Sequence, residues 1–183
     1  MIAIIIVIII LVVLIAYVIG TYNSLVSVKN KVEDQWSQID VVLKNRNDLI
    51  PNIVETVKGY AKHESETLEA VITSRNKATN AKTAEEEMQA AGEVTEALGR
   101  LFALAENYPD LKANQNFMDL QNKLNEVEEK IRFARQFYND AVMTYKNKLE
   151  MFPSNIVAKM FGFKPKAFFE ATEDERKNVE VKF

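Results

Sequence analysis

An uninterrupted apolar run, Ile2–Ile19, limits the fold of this chain more than any other feature, since its only polar side-chain atom is the hydroxyl of Tyr17. As a helix these eighteen residues span about 27 Å, close to the hydrocarbon core of a bilayer at about 30 Å. A core helix of a soluble protein would carry a polar stripe, which this run lacks. A cleaved signal peptide is the main alternative, but no basic residue precedes the run and Ala16-Tyr17-Val18 is a poor cleavage site. We therefore predict that residues 1–20 form a transmembrane anchor, in contact with the bilayer through residues 2–19.

Charge is confined to the rest of the chain, where 23 basic and 26 acidic residues begin at Lys29 and give a net charge of -3. This part is predicted to be a water-soluble domain. Its slightly acidic balance argues against nucleic-acid binding, which depends on an excess of lysine and arginine. The chain has no cysteine and a single histidine, His63, which excludes disulfides, thiol nucleophiles and most zinc or di-iron sites. We therefore expect no metal, no cofactor and no catalytic residue, and predict that the protein is not an enzyme.

The most regular helical pattern lies between residues 114 and 151, where apolar residues recur at alternating spacings of three and four. This is the a/d pattern of a coiled coil. A helix of this length exceeds most globular helices, so we expect it to pack lengthwise on others. The apolar positions are Phe117, Leu120, Leu124, Val127, Ile131, Ala134, Tyr138, Ala141 and Tyr145.

Three shorter helices are predicted before this one. They cover residues 22–46, 51–81 and 83–106. The first can continue directly from the membrane span, since no helix breaker separates the two. Residues 47–51, Asn-Asp-Leu-Ile-Pro, are predicted to be a junction, because Asn and Asp cap helices and Pro suits a first helical turn. Thr83 and Glu86 have the spacing of a capping box at the start of the third helix.

Four helical segments with short connections predict an all-α fold, an antiparallel up-and-down four-helix bundle over residues 21–152. Residues 153–183 are predicted to form a short helix near Asn155–Phe161 and a C-terminal tail. We expect this tail, which is rich in phenylalanine, to fold back on the bundle end or on the bilayer interface. The closing residues 179–183 alternate as in a strand but have no partner strand, so we predict coil there.

Several segments of the sequence do not follow from helical periodicity. They read TYNSLV (21–26), WSQIDV (36–41), NRNDLIPN (45–52), VETVKGY (54–60), HE (63–64), AENYPDLKA (105–113), IRFARQFYN (131–139) and FPSN (152–155). In this order, after an apolar span, the chain closely resembles the LemA family of bacterial membrane proteins over essentially its whole length. The resemblance implies a four-helix domain anchored by its N-terminal helix, with no established catalytic activity or cofactor. Some members resemble lipoproteins with a cysteine after the span; here that place reads Val18-Ile19-Gly20-Thr21, so lipid attachment is chemically impossible.

One group of polar residues lies on or beside the apolar stripes. It comprises Arg46, Asp48, Glu106, Arg135 and Asn139, with Arg75 and Arg100 as further members. A buried arginine needs a carboxylate or carbonyl partner, because an unpaired buried charge is costly. These residues are interpreted first as ties and caps at the bundle ends. The alternative is a niche that binds a peptide carboxylate or a partner protein.

An acidic cluster and an aromatic pair each have a structural interpretation as well as a functional one. Glu126, Glu128 and Glu129 are predicted to be a solvated charged face, because a di-metal site in a bundle needs Glu-x-x-His and the chain has none. Phe133 and Phe137 lie one turn apart but off the heptad positions. They either fill a broad core stripe or form a surface for a partner.

Together these features predict a membrane-anchored helical scaffold or protein-interaction module that binds other membrane proteins or assembles into a homo-oligomer. The alternative is a sensor or phosphotransfer module in which His63, on the second helix, accepts a phosphoryl group from a kinase partner. Either would be a single-pass protein of the cell (inner) membrane. The positive-inside rule, applied to Lys29 and Lys31, places the domain in the cytoplasm. The lipoprotein-like relatives leave an extracytoplasmic position open.

Overall fold

The computed structural model describes residues 1–170, and all regular structure in this range is α-helical. The predicted all-α class is therefore confirmed, while the coil predicted for residues 179–183 lies outside the described residues. The helices are α1 (Ile2–Tyr60), α2 (Ser65–Asn80), α3 (Ala84–Ala105), α4 (Pro109–Lys112), α5 (Gln115–Glu150) and α6 (Ser154–Met160).

α1 is one continuous helix, so the predicted junction at residues 47–51 is wrong. A proline inside a helix cannot donate to the carbonyl four residues before it, and for Pro51 that carbonyl belongs to Asn47. The Nε of Arg75, on α2, donates a hydrogen bond of 3.0 Å to this Asn47 oxygen. The acceptor that the proline frees is thus satisfied, and buried apolar neighbours on both sides of it hold the segment in the core.

The predicted second helix, residues 51–81, is divided between two helices, because α1 ends at Tyr60 and α2 begins at Ser65. The apolar spacing continues across this break, so periodicity alone hides it. Ile50 and Val71 belong to one buried cluster, whereas a straight helix would hold them about 30 Å apart. The chain must therefore turn between them.

α3 begins at Ala84, and its predicted capping pair is confirmed. The Thr83 hydroxyl accepts a hydrogen bond of 3.2 Å from the Glu86 amide. The Glu86 carboxylate in turn accepts one of 2.8 Å from the Lys82 amide. Two backbone N–H groups at the start of the helix are satisfied in this way.

The chain divides into two compact units. The core unit comprises Ile39–Arg135 with Phe169 and Glu170, and the anchor unit comprises Met1–Gln38 and Gln136–Phe168. α3 packs against both α2 and α4 in the core unit. The up-and-down order of a bundle over residues 21–152 stays a prediction. The buried cluster of the core unit draws on α1 to α5 and includes Ile50, Ile53, Val57, Val71, Val94, Leu101, Leu111, Phe117 and Leu124.

The anchor unit contains the N-terminal part of α1, which is long and apolar enough to cross a membrane. None of its most apolar stretch is buried against the rest of the described structure. Just beyond it, Leu25 is buried with Val157 and Ala158 of α6. The Tyr138 hydroxyl donates a hydrogen bond of 2.9 Å to the Ala167 carbonyl. The described part of the C-terminal tail therefore folds back on α1 and α5.

α6 ends in a Schellman motif around Gly162, whose φ of 71° is a conformation that favours glycine. The Gly162 amide donates to the Lys159 carbonyl at 3.2 Å, and the Phe163 amide donates to the Ala158 carbonyl at 3.0 Å. This turn directs Phe163 toward α1, where its ring meets that of Tyr22 edge-on at 5.7 Å between centroids.

Candidate functional site

Arg46 lies inside the core unit with only 1% of its surface exposed. It occupies the apolar stripe of α1, three residues after Leu43 and four before Ile50, which are both buried. That spacing carries the guanidinium into the core together with its apolar neighbours.

Three helices supply the partners of this guanidinium. Its Nη1 donates hydrogen bonds of 2.9 Å to the Glu128 carboxylate on α5 and of 2.9 Å to the Thr95 hydroxyl on α3. Its Nη2 donates one of 3.0 Å to the Ala91 carbonyl, also on α3. The arginine thus ties α1 to α3 and α5 by directional bonds.

Burial lowers the pKa of Arg46 from its ordinary value, and the paired carboxylate of Glu128 opposes that shift. The charge of Arg135 adds to the lowering. Within residues 1–170, the Nε of Arg46 has no hydrogen-bond partner. A single carboxylate therefore balances a deeply buried positive charge.

The prediction of a solvated acidic face is wrong for Glu128, whose side chain is 31% exposed and paired with Arg46. It fits Glu129, which is 62% exposed and pairs with Arg132. A signal was present in the sequence. Glu128 follows Leu124 by four residues and precedes Ile131 by three, so it lies on the buried side of α5.

A cavity of about 290 Å³ lies elsewhere in the core unit, between α1, α2 and α3. Its walls include Asp40, Lys44 and Asp48 of α1, Arg75 of α2, and Glu87 of α3. Asp40 shares a hydrogen bond with Glu87. Sequence reasoning missed this pair, because the two carboxyl groups lie on different helices and neither occupies a recognisable motif.

The environment of Glu87 raises the pKa of its carboxyl group to about 7, chiefly through burial and then through the charge and hydrogen bond of Asp40. A carboxyl group with a pKa near 7 exchanges its proton with solvent around neutral pH. Lys44 and Arg75 face the same cavity and supply positive charge. Residues 1–170 contain no group of three or more histidines, aspartates and glutamates placed to hold a metal ion.

The five residues predicted as a polar cluster lie in different surroundings. Asp48 is exposed, pairs with Lys44 at 3.0 Å and lines the cavity, whereas Arg46 is in the core. Glu106 forms an ion pair with Lys112 of α4. A shared role for the five stays a prediction.

The other two members lie on α5. The guanidinium of Arg135 lies 4.5 Å from the ring centroid of Phe169 and donates a hydrogen bond of 3.1 Å to the Glu170 carbonyl. Asn139 is half-buried one turn further along the helix. Arg135 therefore holds the returning tail.

His63 was expected on the second helix, and this placement is wrong. It lies exposed in the connection between α1 and α2. The neighbouring Glu64 accepts a hydrogen bond of 2.8 Å from the Tyr108 hydroxyl, which fixes the connection to the segment before α4. The imidazole is accessible, but it does not sit on a helical surface.

Known sequences match this chain over most of its length. The profile of the LemA family matches residues 35–183. Protein LemA of Metamycoplasma hominis is 28% identical over 166 residues, which cover 89% of this chain and 75% of that protein.

Magnetosome proteins match more distantly. MamQ 2 of Paramagnetospirillum magneticum is 24% identical over 182 residues, covering 85% of this chain and 67% of its own length. MamQ of Magnetospirillum gryphiswaldense is 22% identical over 174 residues, covering 81% and 64%. Because the family profile spans well over half of the sequence, the chain belongs to the LemA family.

Proposed function

We propose that this protein is a membrane-anchored helical scaffold that binds other proteins, foremost a second copy of itself, and that it has no catalytic role. The apolar start of α1 supports a membrane location. The names of the relatives, LemA and the magnetosome proteins MamQ, are not those of enzymes.

The observation that carries the proposal is the exposure of two phenylalanines on α5. Phe133 is 47% exposed and Phe137 is 60% exposed, and they lie one turn apart on the same helix. The guanidinium of Arg132 lies 4.6 Å from the centroid of the Phe133 ring. Aromatic residues with an arginine beside them are enriched in protein interfaces.

A second copy suits this surface for two reasons. Copies anchored in one membrane present the same face at the same height, and confinement to a plane raises their effective concentration. Opposite charges also lie beside the phenylalanines, in the pair of Arg132 and Glu129. A twofold contact can exchange these charges between copies, because each subunit offers the same patch.

Cysteine crosslinking in native membranes tests the proposal, since the chain has no cysteine of its own. Asp140→Cys places a single thiol on the exposed side of α5, one turn from Phe137. A short bismaleimide is expected to join two copies. The double variant Phe133→Ser, Phe137→Ser should lower the dimer yield about tenfold. The two phenylalanines would be buried between the copies, and their loss there costs more than about 1.4 kcal/mol of association free energy.

Ile72→Ser is the matched control, since Ile72 is also an exposed apolar residue but lies on α2. It should leave the dimer yield unchanged. A purely monomeric pattern, or an equal loss in both variants, contradicts self-association. A crosslink to a different protein would keep the interaction role and reject the second copy as partner.

A further inference from the structure

The end of α5, the turn that follows it and α6 form a corner beside the membrane span. Val18, near the end of the apolar run, packs against the buried cluster of Leu25, Val157 and Ala158, as do Leu149 of α5 and Phe163 after α6. The ring of Tyr22 lies 4.8 Å from that of Phe161. Tyr22 is one turn beyond Ile19, about 5 Å along the helix axis, and the headgroup layer on each side of a bilayer is about 5–8 Å thick. When the apolar run spans a bilayer, the corner therefore lies at the depth of the lipid headgroups.

The outer side of this corner is strongly apolar. Phe152 is 80% exposed and Met151 is 63% exposed, both in the turn after α5. Ile156, Met160 and Phe161 are also at least half exposed. Soluble surfaces rarely leave so many large apolar side chains together in water, and such patches mark contacts with proteins or membranes.

The same segment is basic, although the whole chain is acidic. Residues 146–166 contain five lysines and one acidic residue, Glu150. Lys146 pairs with Glu150 and Lys166 pairs with Glu33. Lys159 and Lys164 are exposed and form no ion pair within residues 1–170. Apolar side chains flanked by free lysines are the composition of segments that lie in the interface of an anionic bilayer.

A groove opens beside the corner. It has a volume of about 620 Å³, and its walls include Tyr17, Gly20 and Thr21 of α1 and Met151 and Phe152 of the turn. Because Tyr17 belongs to the apolar run itself, this groove opens at the level where the span leaves the hydrocarbon.

We propose that the corner formed by residues 148–163 is a second membrane contact, which inserts Phe152 and its apolar neighbours into the headgroup layer of an anionic bilayer. The depth argument gives the location, and the exposed apolar residues and free lysines give the chemistry. The surface goes beyond the scaffold role, because it binds lipid and lies on different residues from Phe133 and Phe137. The apolar side chains are expected to reach about 5–10 Å into the boundary between headgroups and acyl chains, as in other interfacial segments.

Spin labels on the full-length protein in vesicles test this contact. Phe152→Cys carries the nitroxide at the corner, and Ser37→Cys carries the same label at a control site. Ser37 is a suitable control because it is an exposed residue of the same unit, about 27 Å beyond Ile19 along α1, and it is not part of the proposed contact between copies. Collisions with oxygen, which concentrates in lipid, are compared with collisions with a water-soluble nickel chelate.

In vesicles containing phosphatidylglycerol, the label at residue 152 should favour oxygen and the label at residue 37 should favour nickel. Equal, water-like accessibility at both positions would overturn the proposal. Protection of residue 152 from nickel without contact with oxygen would also overturn it, since that result indicates cover by protein.

Charge is tested with Lys159→Gln and Lys164→Gln in the Phe152→Cys background. In anionic vesicles the oxygen preference should fall to the value that the unaltered lysines give in vesicles of phosphatidylcholine alone. No change in the anionic vesicles would reject the role of the lysines and, with it, an anionic surface as the partner.

Discussion

At the scale of single residues, the Arg46–Glu128 pair makes a quantitative prediction. Glu128→Ala leaves the buried guanidinium with the Thr95 hydroxyl and the Ala91 carbonyl as acceptors and no negative charge. Because Glu128 is partly exposed and water can replace some of its charge, we expect a loss of about 2 kcal/mol, which lowers the melting temperature by about 4–8 °C. Thermal unfolding in detergent, followed by circular dichroism, measures it.

Two further variants test whether the stability loss of Glu128→Ala comes from the unpaired charge of Arg46. Glu129→Ala removes an exposed carboxylate one residue away and should change stability by less than about 0.5 kcal/mol. Arg46→Met removes the buried charge itself and should cost less than Glu128→Ala. Equal losses for Glu128→Ala and Glu129→Ala would show that Arg46 does not need its partner.

Glu87 predicts a pH dependence. Its folded pKa is about 7 against an ordinary value of 4.5, so the folded chain binds the extra proton between these pH values. Stability is then greatest below about pH 4.5 and falls as the pH rises to 7, as Glu87 ionises beside Asp40.

Glu87→Gln cannot ionise and should escape this fall. Its melting temperature relative to the unaltered protein should rise between pH 5 and pH 8, by the equivalent of about 1 kcal/mol after solvent screening. Glu85→Gln, an exposed neighbour on the same turn, is the control and should show no such change. Parallel pH curves for both variants would refute the raised pKa of Glu87.

The sequence allowed only part of this site to be predicted. Arg46 belongs to the group of polar residues that the sequence places on or beside the apolar stripes. Glu128 stands among other acidic residues, which favours a solvated face, although its own spacing from Leu124 and Ile131 points inward. Asp40 and Glu87 meet only through the packing of α1 on α3, which no local pattern encodes.

At the scale of helices, Pro51 and Arg75 form a testable pair. Arg75→Ala leaves the Asn47 carbonyl without its donor and should cost about 1–2 kcal/mol. Pro51→Ala in that background restores an N–H that can reach the same carbonyl, so the double variant should be more stable than Arg75→Ala alone. Unfolding free energies of the two single variants and the double variant measure the coupling.

This pair also explains why helix ends were harder to predict than helix type. The junction was placed at residues 47–51 because proline and capping residues usually end helices. A side chain 28 residues further along the chain supplies the missing hydrogen bond, and local sequence does not show it. The start of α3 was predicted correctly because Thr83 and Glu86 satisfy the local backbone themselves.

Replacing Gly162 or Gly99 by alanine should change the stability of the protein in opposite directions. Gly162→Ala places a side chain at a φ of 71°, so we expect a loss of about 1 kcal/mol and weaker docking of α6. Gly99→Ala lies in the interior of α3 with nothing near its added methyl group and should gain about 1 kcal/mol. Melting temperatures that move in the same direction would contradict the Schellman turn.

At the scale of the whole molecule, the side of the membrane on which the domain lies is a prediction. Lys29 and Lys31 after the span favour the cytoplasm. Asn23→Cys and Lys123→Cys place thiols on exposed residues of the anchor and core units. In intact spheroplasts both should resist an impermeant maleimide and react only after lysis. Labelling without lysis would place the domain outside.

The sequence pattern predicts the all-α architecture well, but it does not predict which helices pack together in each compact unit. An uncharged run followed by helical periodicity is sufficient to predict an all-α chain with one apolar N-terminal helix. Membership of α1 and α5 in both compact units depends on contacts between distant segments, such as Leu25 with Val157, which no spacing along the chain predicts.

The burial of Leu25 by α6 also determines which part of the chain folds first during synthesis. Val157 and Ala158 cover Leu25, and they are synthesised more than 130 residues after it. At about 5–20 residues per second, a ribosome needs on the order of 10 s to reach them. Residues 39–135 can bury their cluster before that time. The contact between α6 and Leu25 therefore forms after the core cluster, so ribosomes stalled before residue 157 would carry a folded core unit and a Leu25 that is still uncovered.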